Sequence, residues 1–168
     1  MKTTAALPFA ISFLCLLPFA AIPAQTQASP HILAAPEDAN WRPTTMLPAG
    51  TQVAVLTGDP TKPGPFAVRL KFPAHFSIPA HWHPADEHVI VTSGTLTFGM
   101  GDKLDRTAAT NKTLTTGGFA VMPATMHHFA FTGDQETTVV MYADGPLRIN
   151  YINPADDPRL NKSPAPAK

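Results

Sequence analysis

The stretch His81-Trp82-His83-Pro84-Ala85-Asp86-Glu87 decides how this chain is read. It sets two imidazoles two residues apart and a carboxylate four residues after the second. On a strand, residues i and i+2 project from one face, so His81 and His83 can grip one metal ion side by side. Glu87 lies beyond the Pro84 turn and opens the next strand, where a hairpin-like return brings it beside the pair. Imidazole and carboxylate together suit iron, manganese, zinc, nickel or copper, whereas magnesium and calcium prefer all-oxygen shells. His-x-His alone is a weak signal, because a histidine satisfied within a core is the commoner case.

The surroundings of this stretch are built for strands. The chain has 168 residues, 19 of them proline, with 12 basic and 12 acidic side chains and one cysteine. That length bounds it to one domain with short extensions. Proline inside a helix removes a donor and clashes with the preceding turn, so a mostly helical fold is excluded. The balanced charge argues against a nucleic-acid partner. One cysteine excludes an internal disulfide and a multi-cysteine zinc site. Gly/Pro/Asp turn signals divide the middle of the chain into short segments rich in Val, Ile, Phe and Thr. Strands are predicted at 51–57, 66–72, 76–83, 87–92, 95–100, 119–122, 128–132, 137–143 and 147–151. Phe66, Val68, Leu70 and Phe72 alternate with Arg69 and Lys71 as in a half-buried strand. Residues 102–116 alone are long enough without Pro or Gly to hold a helix, of a turn or two. About nine short strands indicate an all-β sandwich or small barrel.

The wider spacing makes the site specific. Six residues separate Glu87 from Gly94, five separate Gly117 from Pro123, and His128 follows Pro123 by five positions. This pattern resembles the two motifs of the cupin superfamily, G-x5-H-x-H-x3/4-E-x6-G and G-x5-P-x-G-x2-H-x3-N. The match runs from about His75 to Thr132, and the flanking strands fit a cupin over roughly 51–151. The resemblance implies a double-stranded β-helix (a jelly-roll barrel) and one divalent transition metal ion held by His81, His83, Glu87 and His128. Three positions depart from the motifs: His75 and Thr125 stand where they have glycine, and Thr132 where they have asparagine. None is a ligand.

Strand phase assigns the neighbours. His127 and His88 alternate away from the site. His75 either lines the pocket or sits in the turn after Pro73, and His31 has no assigned role. With the ligands inward, Trp82, Phe129, Phe131, Phe76, Ile78 and Ile90 point outward, and Ser77, Val89, Val91, Ala130 and Thr132 point inward. Six large outward groups exceed what a monomer surface usually shows, so a homodimer or the Trp41 arm is expected to cover them. No inward Arg or Lys is evident, which fits a small neutral, apolar or aromatic ligand better than an anionic one.

The ends of the chain read differently. Lys2, the apolar run Ala5–Ala24 and small residues at Thr26 and Ala28 form an export signal over residues 1–28. Cleavage after Ala24 and an uncleaved anchor are the alternatives. Residues 29–48 form an extended arm, 49–152 the cupin domain and 153–168 a fraying tail. The mature protein is then periplasmic or secreted, free of the membrane and without a thiol. Two functions stay open. One is a metal-dependent enzyme of dioxygenase-like or Lewis-acid isomerase/lyase type, with His75, Tyr142 and Glu136 as catalytic candidates outside the metal shell. The other is a non-catalytic metal- or ligand-binding or sensing module.

Overall fold

The structure, a computed structural model, describes residues 31–160; the stretch expected to be an export signal, with Cys15, and the last eight residues lie outside them. Residues 32–160 belong to one compact unit. Its strands are β1 (Arg42–Pro43), β2 (Gln52–Thr57), β3 (Gly64–Phe72), β4 (Ser77–Trp82), β5 (Glu87–Ser93), β6 (Thr95–Met100), β7 (Lys112–Thr115), β8 (Phe119–Met122), β9 (His128–Thr132), β10 (Thr137–Gly145) and β11 (Asn150–Tyr151). They make a six-stranded sheet ordered β1-β2-β3-β10-β5-β8 and a five-stranded sheet ordered β11-β4-β9-β6-β7, antiparallel throughout. The described residues contain two single-turn 3-10 segments and no α-helix. The fold class is therefore the all-β one expected.

Alternation builds the core. Phe66, Val68, Leu70 and Phe72 of β3 are buried, while Arg69 and Lys71 face out. The helix allowed over 102–116 is absent, and the segment ends in β7. Only Leu104 and Leu114 are large and apolar there, too few for a helical stripe. Asp105 Oδ1 instead accepts from the Thr107 amide at 2.8 Å to make a local turn, and Thr97 and Thr113 hydroxyls meet at 2.8 Å across β6 and β7. The last strand is also shorter than expected, Asn150–Tyr151 instead of 147–151.

A bulge in β4 corrects the expected phase. Ile78 pairs with Ala130 and His81 with His128, three steps along β4 against two along β9. The extra residue falls at Pro79-Ala80, where proline's missing donor suits a broken ladder. Ile78 and His81 therefore both face inward, and Ile78 is core, not surface. Ser77, expected inward, takes a 2.6 Å hydrogen bond from the Arg106 guanidinium. Phe76 is partly buried, stacked on Phe72 at 5.7 Å.

Two outward rings are covered by the chain itself. Phe129 is 1% exposed, and its ring lies over Gly99, where a Cβ would collide with it and with Asn111. Arg106, on the same 101–111 loop, stacks on Phe131 at 4.6 Å. These two rings supply no ground for a dimer. The arm covers the outer face of the other sheet: Arg69 donates to the Ala35 and Pro36 carbonyls, and Lys71 stands 4.6 Å from the Trp41 ring. The tail is fixed through Leu160, since Arg159 grips Asp157 and donates to the Ile149 carbonyl at 2.8 Å.

Two threonines close one end of the barrel. Thr132 Oγ1, at the position where the motif has asparagine, donates to the Pro73 carbonyl at 2.7 Å and accepts the Phe76 amide at 2.8 Å. Thr137 Oγ1 donates to the Thr95 carbonyl at 2.8 Å and accepts its amide at 3.2 Å, joining the sheets.

His75 (φ 55°) and Thr125 (φ 64°) are the described non-glycine residues with positive φ, at the two positions where the motifs have glycine. The backbone there has the positive φ that glycine adopts most easily, with other residues in its place. A β-branched residue is a true outlier there, at a cost of about 1–2 kcal/mol. Thr125→Gly is therefore expected to stabilise the protein by about 0.5–1 kcal/mol, after glycine's own entropy cost. Thermal melts should show a rise of about 2–4 °C, and an unchanged or lower midpoint refutes this. His75→Gly should gain less, since histidine tolerates this region better.

Candidate metal centre

The barrel end opposite the threonine ties gathers the chemistry. His81 lies near the end of β4, His83 follows that strand, His128 opens β9 and Glu87 opens β5. The ligand atoms of His81, His83 and His128 all lie within 4.8 Å of one another, and all three residues are buried. Glu87 Oε2 stands 3.5 Å from His128 Nε2 and 3.7 Å from His83 Nε2, with the side chain 12% exposed.

Each imidazole is anchored through its other nitrogen. His81 Nδ1 bonds the Pro79 carbonyl at 2.7 Å, His83 Nδ1 the Arg148 carbonyl at 2.7 Å and His128 Nδ1 the Met126 carbonyl at 3.0 Å. A carbonyl only accepts, so each Nδ1 carries the hydrogen and each Nε2 presents a lone pair inward. His83 Nε2 is buried without a hydrogen-bond partner. Burial, helped by the charges His128 and His83 would carry, pushes the His81 pKa down to about 3. Burial also opposes ionisation of Glu87, but when the facing imidazoles are protonated, a His128 hydrogen bond and the imidazole charges outweigh it and bring its pKa to about 2. Converging lone pairs and a carboxylate are what a divalent transition metal ion satisfies. The donor set fits such an ion.

Behind the cluster is a cavity of about 330 Å³. Both sheets line it, with Val68, Leu70, Phe72, Val139 and Met141 on one side and Ile78, Leu96, Phe98 and Ala130 on the other. Glu87 is the one carboxylate and Arg148 the one cation among the described lining residues, joined by the hydroxyls Thr44 and Thr61. Val89 and Ala130 line it as expected; Ser77, Val91 and Thr132 do not.

The catalytic candidates stand elsewhere. His75 is 73% exposed, 3.6 Å from Asp134, and takes the turn alternative. Tyr142 is 38% exposed and stacked on His88 at 4.5 Å: Val139 and Met141 point inward, so Tyr142 points out. Glu136 pairs with Lys71, and His127 with Asp102 at 2.6 Å. Sequence reasoning missed Thr44, Met46 and Leu47 of the arm and Pro146–Ile149, all of which line the cavity. Arg148 works through its backbone carbonyl, a role no side-chain pattern signals.

The fold and the triad define the class: a β-barrel of the cupin fold with a buried three-histidine site. Solved structures agree on the fold. KdgF from Halomonas sp. is 19% identical with a TM-score of 0.53, covering 68% of this chain and 94% of its own. The polyketide cyclase RemF from Streptomyces resistomycificus is 16% identical with a TM-score of 0.59, covering 75% and 88%. An RmlC-like cupin from Shewanella frigidimarina is 17% identical with a TM-score of 0.52, covering 69% and 91%. A comparison with curated proteins found no match. Within the class, the chain belongs to the family described as a domain of unknown function, DUF4437, whose model matches residues 32–161.

Proposed function

We propose that this protein is an exported metal-dependent enzyme acting on a small neutral or aromatic molecule, by dioxygenase-like or Lewis-acid isomerase/lyase chemistry. The observation that carries the reading is the convergence of three Nε2 lone pairs on one buried point, with His83 Nε2 unpartnered. His81, His83 and His128 would hold the ion and Glu87 would complete the set. When bound, it supplies polarisation of a ligated oxygen and, as iron, access to dioxygen chemistry.

The chain's own residues do the rest. Three backbone carbonyls lock the imidazoles, so the site is organised before a ligand arrives. The apolar walls exclude water and strengthen every charge interaction at the site. Export is supported by the apolar run Ala5–Ala24 behind Lys2.

The test is the metal content of protein purified from the exported fraction, followed by oxygen uptake and product analysis with a panel of diketones and catechols. Turnover that disappears on chelation and returns with metal is the expected result. Loaded protein that turns over nothing favours the second reading, a binding or sensing module. That reading is favoured by the absence of any acid–base pair among the described cavity residues outside the His–Glu87 cluster.

A further inference from the structure

Strand register gives the cavity a direction. His81, His128 and Met100 share one rung, Ile78, Ala130 and Phe98 the next, and Leu96 and Thr132 the last. Four residues along β9 separate the first rung from the last, roughly 13 Å. The last rung is the end closed by Thr132 and Thr137, with Leu96, Val139 and Phe72 as its apolar floor. The loops that line the other end meet where the Leu147 amide bonds the Pro60 carbonyl at 2.7 Å, one residue before the Arg148 carbonyl that holds His83. A ligand held at the histidines therefore extends toward Leu96.

Charge is confined to the first rung. Glu87 belongs to the cluster, and Arg148, the other charged lining residue, gives its carbonyl to His83 and is exposed. The walls beyond are Val68, Leu70, Ile78, Phe98 and Ala130. A hydroxyl carried into that region would lose its water and find no partner, weakening binding roughly tenfold or more. The volume of about 330 Å³ lies at the small end for ligand sites.

We propose that the ligand is a small amphiphile, with oxygen donors at one end only and an uncharged hydrocarbon body behind them, and that Leu96, Val139 and Phe72 set the length accepted. The head sits at His81, His83 and His128, so this inference rests on the metal reading above. The floor residues are specificity determinants and take no part in holding the metal.

Straight-chain hydroxamates from acetohydroxamate upward, titrated calorimetrically into zinc-loaded protein, test the inference. Affinity should rise about fourfold per methylene, stop within the series, and fall once the chain meets the floor. In Leu96→Ala the stop should move to chains about two methylenes longer, with zinc content unchanged. A parallel series of 1-alkanols on chelator-treated protein reads the apolar body alone and should show the same dependence. If Leu96→Ala fails to fold, the wild-type series still decides. Affinity independent of length, or gluconohydroxamate binding as tightly as hexanohydroxamate, overturns the proposal. Alkanols that show the length dependence in protein that takes up no zinc would sustain the apolar body and its length limit, and sink the metal reading and with it the placing of the head.

Discussion

His128→Ala should take bound metal from about one ion per chain to near none, with affinity reduced by about 10–100-fold or more. Loss of a residue that merely orients a ligand costs 10–100-fold, so loss of the ligand itself costs no less. His128 is the pivot of the cluster: its ring is 4.3 Å from His81 and 5.4 Å from His83, and its Nε2 faces Glu87. Removing it leaves two histidines from one strand end with nothing from the neighbouring strand β9. The control is its neighbour. His127 is partly exposed and held by Asp102 at 2.6 Å, so His127→Ala should keep the full metal content. Elemental analysis of both variants, with zinc titration by competition against a chelating dye, decides the matter. Metal that survives His128→Ala, or is lost with His127→Ala, would show that the cluster is not the site.

The contrast between these two histidines shows what was legible in the chain. The count from Pro123 selects His128 over His127, and His-x-His fixes the other pair on one face; the structure brings those three together. Glu87 falls beside two of them because Pro84 turns the chain between β4 and β5. The phase of β4 was not legible. A bulge at Pro79-Ala80 shows only as a register shift against β9, so a strand read by strict alternation sends Ile78 to the wrong face. The arm and Pro146–Ile149 were invisible for another reason. Their contribution is position, fixed by contacts such as Tyr151 Oη to the Met46 carbonyl at 3.0 Å and His83 Nδ1 to the Arg148 carbonyl, across gaps of 105 and 65 residues. His75 and Thr125 add a third case. Without glycine at these positions the sequence left the loop geometry open, and the structure shows the positive φ that glycine usually supplies.

The same limit of alternation governs the largest expected effect on stability. Phase alone places Phe129 on the outside of its sheet, where a lone phenylalanine would contribute little. Its pairing with Gly99 changes that: the glycine leaves a gap that the ring fills, and Asn111 stands against the same spot. The 101–111 loop lies over it, held by Gly101 N to the His127 carbonyl at 3.0 Å, Asn111 Nδ2 to the Asp105 carbonyl at 2.8 Å and Arg106 to Ser77 at 2.6 Å. Phe129 is thus the anchor of a second, smaller core outside the barrel, buried as fully as Phe72 within it. Phe129→Ala should cost about 3–5 kcal/mol, since Gly99 has no side chain with which to refill the space. Melting should fall by about 10–20 °C, and residues 101–111 should become sensitive to limited proteolysis. Metal stoichiometry should not change, because the ring points away from the histidines on the far face of β9. A loss below about 1 kcal/mol would mean that the loop does not pack on the ring, and the outward aromatic face would again need another cover.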